Sequence, residues 1–286
     1  MTNLRDHLRV LLIAASVFPV FACNSGSQTQ VASDSARMPR AKHVVVLRPK
    51  KIDPYAEKTG LADTVSGLTS LPPSEQSNGW KLLFNGKDLS GWKGFNTDTI
   101  GKAWKVSAGV LHLDLSDRDQ WKTNHGGDLC TIKNFKDFDL SMDYRTYPST
   151  NSGVLIRVQE GPSWPKPYDS GVEMQILDDS ANPDKTVLNH RSGSMFGIYS
   201  APSVKAKGPG EWNHLLISSR RNEILYMLNG RRAVRVAIGS KIWKDSLAHS
   251  KFSKQAGFAT SATGKIDLQE HGGSVDFKNI KIKTVS

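Results

Sequence analysis

The sequence predicts an all-β protein, a sandwich of two antiparallel sheets occupying residues 79–286. Three observations carry that reading. Past Gly79 the chain runs in short stretches where apolar and polar residues alternate, the period of strands with one face on a core. Gly, Asn, Asp and Pro separate those stretches, as tight turns require. No sustained helical period occurs, so neither a bundle nor a strand and helix alternation fits. About 200 residues is an ordinary size for one all-β unit, and 38% hydrophobic content in a chain of 286 residues suffices for a real core.

Taken in order, the chain opens with MTNLRDHLRVLLIAASVFPVFAC. Arg5 and Arg9 precede an apolar run from Val10 to Ala22 that is too short to cross a bilayer comfortably, and Cys23 follows. This arrangement resembles a bacterial lipoprotein signal spanning residues 1–23, although Phe21 stands where a small residue is usual. It implies lipidation at Cys23, anchoring to a membrane through that lipid, and a periplasmic or outer-membrane location. Residues 24–78 are rich in Ser, Gln, Pro and Lys, with one apolar patch at Val44 to Leu47, and read as a flexible tether.

Within the sandwich, FDLSMDYRTY places Phe138, Leu140, Met142 and Tyr144 on one face. SGVLIRVQE turns Val154, Ile156 and Val158 inward and Arg157 outward. The stretch from Trp212 to Ile238 reads as three strands, with Asn229-Gly230 supplying the positive φ angles of a tight hairpin. In the last strand Val275 and Phe277 are out of phase with Ile280 and Ile282, so a bulge near Lys278-Asn279 is expected.

The net charge of +11 is spread along the chain: nine Lys/Arg against six Asp/Glu up to residue 78, then 29 against 21. Arg220, Arg221, Arg231, Arg232 and Arg235 cluster around the hairpin without interleaved aromatics, which reads as a solvated face rather than a nucleic-acid surface. Cys130, in a strand-like run, reads as a small buried hydrophobe. Without a nucleotide-binding glycine pattern, no nucleotide cofactor is expected.

In GVEMQILDD, Val172, Met174 and Ile176 alternate with Glu173 and Gln175, and Asp178 follows. In KIDLQEHGG, Ile266 and Leu268 oppose Gln269 and His271. If these strands neighbour SGVLIRVQE in one sheet, Arg157, Glu173, Gln175, Gln269 and His271 converge on its exposed surface, and Asp143 and Arg145 extend it. Trp121, Trp164, Tyr168 and Trp243 lie in polar, loop-like contexts suited to stacking on sugars. Trp80, Trp92 and Trp104 read as structural.

The ordered runs GWKLLFNGKDLSGW, GGDL, NSGVLIRV, GVEMQILDD, FGIYSAP, GEWNHLLI, LNGRR and LQEHGGSVDFKNIKIK resemble the 3-keto-disaccharide hydrolase domain family. That resemblance implies a concanavalin-like jelly roll acting on an oxidised glycoside as carbohydrate substrate. It assigns Glu173, Asp178 and His271 to the chemistry, and Asn151, Arg157, Gln175, Tyr199, Asn213 and Gln269 to substrate binding or loop ordering; Trp164 joins the binding set on its loop context alone. A carbonyl at C3 acidifies the C2 proton, so a base, an electrostatic stabiliser and an acid for the leaving aglycone are required. His271 or Glu173 fits the base, and Arg157 and Gln175 fit the stabilisers. As an alternative, Glu173 and His271 hold a divalent metal that polarises the carbonyl. Two other readings share the fold: a lectin-like module without chemistry, and a retaining glucanase, since Glu173, Gln175 and Asp178 resemble a Glu-x-Asp-x-x-Glu strand.

Overall fold

In the computed structural model of the protein, residues 66–115 and 127–285 are described. The signal, most of the tether, Cys23, the Val44 to Leu47 patch and Trp121 lie outside them. The strands are β1 (Lys81–Leu82), β2 (Trp92–Gly94), β3 (Trp104–Ser107), β4 (Val110–Leu113), β5 (Leu129–Thr131), β6 (Phe138–Thr146) and β7 (Asn151–Val158). They continue as β8 (Val172–Leu177), β9 (Trp212–Arg220), β10 (Glu223–Leu228), β11 (Arg231–Ala237), β12 (Lys265–Leu268) and β13 (Val275–Thr284).

The larger sheet runs β11-β10-β9-β6-β13-β4-β3, with β1 also on β13; the smaller runs β2-β5-β12-β7-β8. Neighbours in each are antiparallel and mostly distant in sequence, as in a jelly roll of concanavalin type. Between the sheets, Phe138, Leu140, Met142 and Tyr144 of β6 pack with residues such as Ile217 and Tyr226 against Val154, Ile156, Met174, Ile176, Ile266 and Leu268. Each such side chain contributes about 1.5–3 kcal/mol when fully buried. Period-2 patterning therefore fixes which polar residues are left on the outer face of the smaller sheet.

The expected turn and bulge are both present. Asn229 and Gly230 take φ of 49° and 75° between β10 and β11. Asn279 takes φ of 57° where the β13–β6 register shifts between Lys278 and Lys281, which returns Val275, Phe277, Ile280 and Ile282 to one core. Trp92 and Trp104 are core residues and Cys130 is a buried free thiol. Of the hairpin arginines, Arg220 pairs with Asp139 and Arg235 with Glu223.

Helix α1 (Lys241–Ala248) is unanticipated, because its inner face is only buried Trp243 and, one turn on, half-buried Leu247, too short a period to read. The Ser240 hydroxyl caps it, accepting from the Trp243 N–H at 3.2 Å. Trp243 is accordingly not a sugar platform: it stacks on Phe258 within the core, with ring centroids 6.2 Å apart. Asp143 and Arg145 also depart from expectation. They belong to β6 of the larger sheet, where Asp143 meets His214 at 2.7 Å and the Arg145 Nε donates to Asp276 at 2.9 Å.

Candidate active site

The order β12-β7-β8 sets three polar-bearing strands side by side. Glu173 stands opposite Leu155, Leu155 opposite Asp267, Asp267 opposite Cys130, and Cys130 opposite Lys93, so one row crosses the whole outer face. Strands are about 4.8 Å apart, which leaves the two acids a strand's width further apart than neighbours. Gly153 closes part of that gap. A Cβ there would lie 2.7 Å from Glu173 Cγ, so the bare glycine is what lets the Glu173 side chain lie across β7 toward β12. Gln269 favours its ionised form there.

Three carboxyl groups share this face. Asp267 is fully buried and Glu173 is 5% exposed, while Asp128, half-buried just before β5, accepts from the Glu270 N–H at 2.6 Å. Burial pushes Glu173 up to about 8, against the pull of Lys251 and with a further push from Asp128. Burial likewise raises Asp128 to about 7, opposed by the Glu270 N–H and reinforced by the Glu270 charge. Asp267 lies well above the usual carboxylate range because of burial, then of Asp128, Glu173 and Glu160, and neither of its oxygens has a hydrogen-bond partner among the described residues. Like charges in a dry site do not all ionise together, so the cluster retains protons at neutral pH.

Both rims are polar. At one, Lys93 and Lys265 each reach Glu160 at 3.3 Å, and the Asn96 N–H donates to it at 2.8 Å. At the other, Gln175 Nε2 donates to Asn151 Oδ1 at 2.8 Å, and Asn151 Nδ2 donates to Asp184 at 3.2 Å. Lys251 Nζ sits 3.8 Å over the Phe196 ring, the His190 ring lies 4.4 Å from the same ring, and the Phe196 N–H donates to the Glu173 carbonyl at 3.1 Å. Burial lowers the pKa of His190 and of Lys251, with Asp184 acting against it in both and Glu173 also in the lysine. A proton-holding acidic floor thus lies beside a cation and an imidazole.

Residues 79–283 match the 3-keto-alpha-glucoside-1,2-lyase-like domain. The chain belongs to this family. A 3-keto-disaccharide hydrolase from Bacteroides thetaiotaomicron is 28% identical over 76% of this chain and 82% of its own length. Among solved structures, a Parabacteroides distasonis protein provisionally assigned to the glycosyl hydrolases is 32% identical, with a TM-score of 0.69 over 76% of this chain and 99% of its own. A second from that organism is 26% identical, with a TM-score of 0.55 over 72% and 99%. Family membership and these likenesses support a glycosidase-like function.

Of the residues that the family resemblance singled out, the structure brings Glu173, Gln175, Gln269 and Asn151 together on the outer face. Others are placed differently. Arg157 takes φ of 64° at a β12–β7 register shift, packs its backbone on Gly264, and turns its guanidinium inward, 3.4 Å from Ser219 of the larger sheet; it is 3% exposed and no stabiliser of the outer face. Asp178 is an anchor. Its oxygens accept from the Ser149, Ser180 and Ala181 N–H groups and the Ser180 hydroxyl. Burial alone would raise it, yet those donors hold it below the ordinary value, the opposite of what a general acid needs.

Asn213 lies on β9 of the other sheet and pins the Lys207 main chain, accepting at 2.7 Å and donating at 3.3 Å. Tyr199 donates to the Ile242 carbonyl at 3.2 Å beside Trp243, and the Trp164 ring covers Gly257. His271 is exposed in the turn after β12 and has no hydrogen-bond partner among the described residues. No three His, Cys, Asp or Glu side chains among the described residues are arranged to hold a metal ion, so the pair Glu173 and His271 gains no third ligand.

Sequence reasoning passed over Asp267, Asp128, Lys251 and His190. Asp267 was legible: it is in phase with Gln269, two positions back on the same strand. Asp128 sits in an irregular segment, Lys251 in a turn and His190 in a single turn of 3-10 helix, and none of these has a period long enough to mark a face.

Proposed function

We propose that this protein cleaves the glycosidic bond of 3-keto-glycosides by removing the C2 proton and eliminating the aglycone. The observation that carries the reading is the cluster of Glu173, Asp267 and Asp128, buried or half-buried on one sheet face and raised in pKa. Such a cluster holds a carboxylate and a carboxylic acid at the same pH, which this chemistry demands of one site. Glu173 in its ionised form takes the C2 proton as the C2–H pair moves toward the C3 carbonyl. The enediolate forms beside Lys251, whose charge acts on Glu173. The C1–O bond then breaks, its electrons leaving with the aglycone oxygen, which takes a proton from Asp267 or Asp128. Water added across the new C1–C2 double bond gives the hydrolysed sugar; its release before hydration gives the lyase product.

Incubation of the protein with a 3-keto-glucoside in D2O tests the proposal. Aglycone release with deuterium at C2 of recovered substrate or of the hydrated product is expected, and Glu173→Gln should lower kcat by about 10²-fold or more. Saturable binding with no release at any pH would leave the lectin-like reading standing. The proposal also places the protein outside the cytoplasm, lipidated at Cys23, with residues 24–65 as the spacer; residues 66–78, expected as tether, pack on the sandwich instead, with Leu71 buried and Glu75 paired with Lys281 at 2.5 Å. Labelled palmitate incorporated by the wild type and lost in Cys23→Ser checks that part.

A further inference from the structure

A cavity of about 440 Å³ lies apart from the carboxyl cluster, between segments 178–180, 188–192 and 200–208. Its walls are fixed before any ligand arrives. Asn213 and Asn229, from β9 and the hairpin turn, hold the Lys207 and Lys205 carbonyls at 3.3 Å each, and Asn213 also accepts from the Lys207 N–H. The facing wall is tied to β8 by the Ser192 hydroxyl, which donates to the Leu177 carbonyl at 2.8 Å, and the Ser192 N–H reaches Asp179 at 3.1 Å. Preformed walls spare a ligand the entropy of ordering loops.

The lining is two-sided. Leu188, Pro202 and Val204 supply apolar surface, and Leu188 is 58% exposed. Arg191, Lys205 and Lys207 supply cations. Both lysines are exposed, and neither forms an ion pair among the described residues. Two acids share the lining: Asp178, which its four donors keep ionised, and Asp179, which accepts from Ser192. Three cations against two acids leave the lining net positive beside an apolar floor, a combination suited to a ring carrying a negative charge.

We propose that this cavity binds a ring-bearing carboxylate. A bare phosphate leaves the apolar surface unused, and a neutral sugar leaves the cations unused. The segment 184–192 separates the cavity from the site above: Leu188 and Arg191 line the one, while Asp184 and His190 lie toward Lys251. A ligand held here therefore borders the carboxyl cluster without touching it.

Two sources share the chemistry, the uronate of an acidic glycan and an aromatic acid. Calorimetric titration with digalacturonate and with 4-hydroxycinnamate, against the neutral cellobiose and 4-hydroxycinnamyl alcohol, separates them. At least one acid should bind at about millimolar Kd or tighter, about tenfold or more tighter than its neutral counterpart, and weaken with salt. Lys205→Gln/Lys207→Gln should weaken it about tenfold; both side chains are exposed, so folding is spared. Binding by the uronate alone identifies an acidic glycan, and by the cinnamate alone an aromatic acid. Glu173→Gln should bind the acid as the wild type does, so failure of the catalytic proposal leaves this one untouched. If neither acid binds, or the lysine variant binds as the wild type does, the proposal is overturned.

Discussion

Glu173→Gln should make the protein more stable while it abolishes turnover, and the gain should depend on pH. The Glu173 carboxyl is raised from its ordinary 4.5 to about 8 by burial. Between those values the folded protein holds a proton that the unfolded chain releases, so stability falls as pH rises from 4.5 toward 8. Linkage over that gap gives a penalty of about 1 kcal/mol at pH 5 and about 4 kcal/mol at pH 8, an upper figure because Asp267 and Asp128 share the cluster's protons. Glutamine keeps the shape and the contact with Gln269 and carries no charge to desolvate. With half of the penalty recovered, Tm should rise by about 4–8 °C at pH 8 and by about 1–2 °C at pH 5 for a domain of this size. Thermal unfolding followed by circular dichroism at both pH values measures it. A Tm difference independent of pH, or a loss of stability at pH 8, would refute the claim that a buried, proton-holding Glu173 lies at the centre of the site.

Gly153→Ala should displace the Glu173 carboxyl, whose Cγ the new methyl would approach to 2.7 Å; kcat should fall about tenfold or more while the fold survives with a loss of about 1–3 kcal/mol by chemical denaturation. Lys251→Met removes the cation that holds Glu173 down, so the ascending limb of the pH profile of kcat/KM should move up by about half a pH unit, and Lys251→Arg should leave it in place. Asp178→Asn should cost about 2–3 kcal/mol of stability at pH 7 through weakened donors and leave kcat unchanged below the melting range. Because the native state holds Asp178 below its ordinary pKa, that difference should shrink as the wild type is titrated through the acid range.

The sandwich was legible because period-2 patterning depends only on which residues meet a core. Phe138 to Tyr144, the Asn229-Gly230 turn and the bulge at Asn279 all follow from that rule or from the φ angles a residue tolerates. Glu173, Gln175 and Gln269 were legible for the same reason, being out of phase with buried neighbours. Arg157 shows where the rule stops. It occupies an outward phase, but a positive φ at a bulge sends it between the sheets, and no local pattern marks that bulge. Asp178 and Asn213 carry the right chemistry in the right segments, yet main-chain groups distant in sequence claim their polar atoms.

The sequence by itself determined the fold class, the core face of each strand, the family and the acid on β8. Each of these rests on residues within a few positions of one another or on an ordered string of motifs. Only the tertiary structure decided which groups share the acid's surroundings. The pKa of Glu173 is set first by burial and then by Lys251, Asp128 and Gln269. They come from three separate parts of the chain: Asp128 and Gln269 meet it because β5, β12, β7 and β8 lie side by side and Gly153 leaves room between them, and Lys251 comes from a turn outside the sheet. Electrostatic and desolvation energies depend on distance through space, and distance along the chain does not encode them.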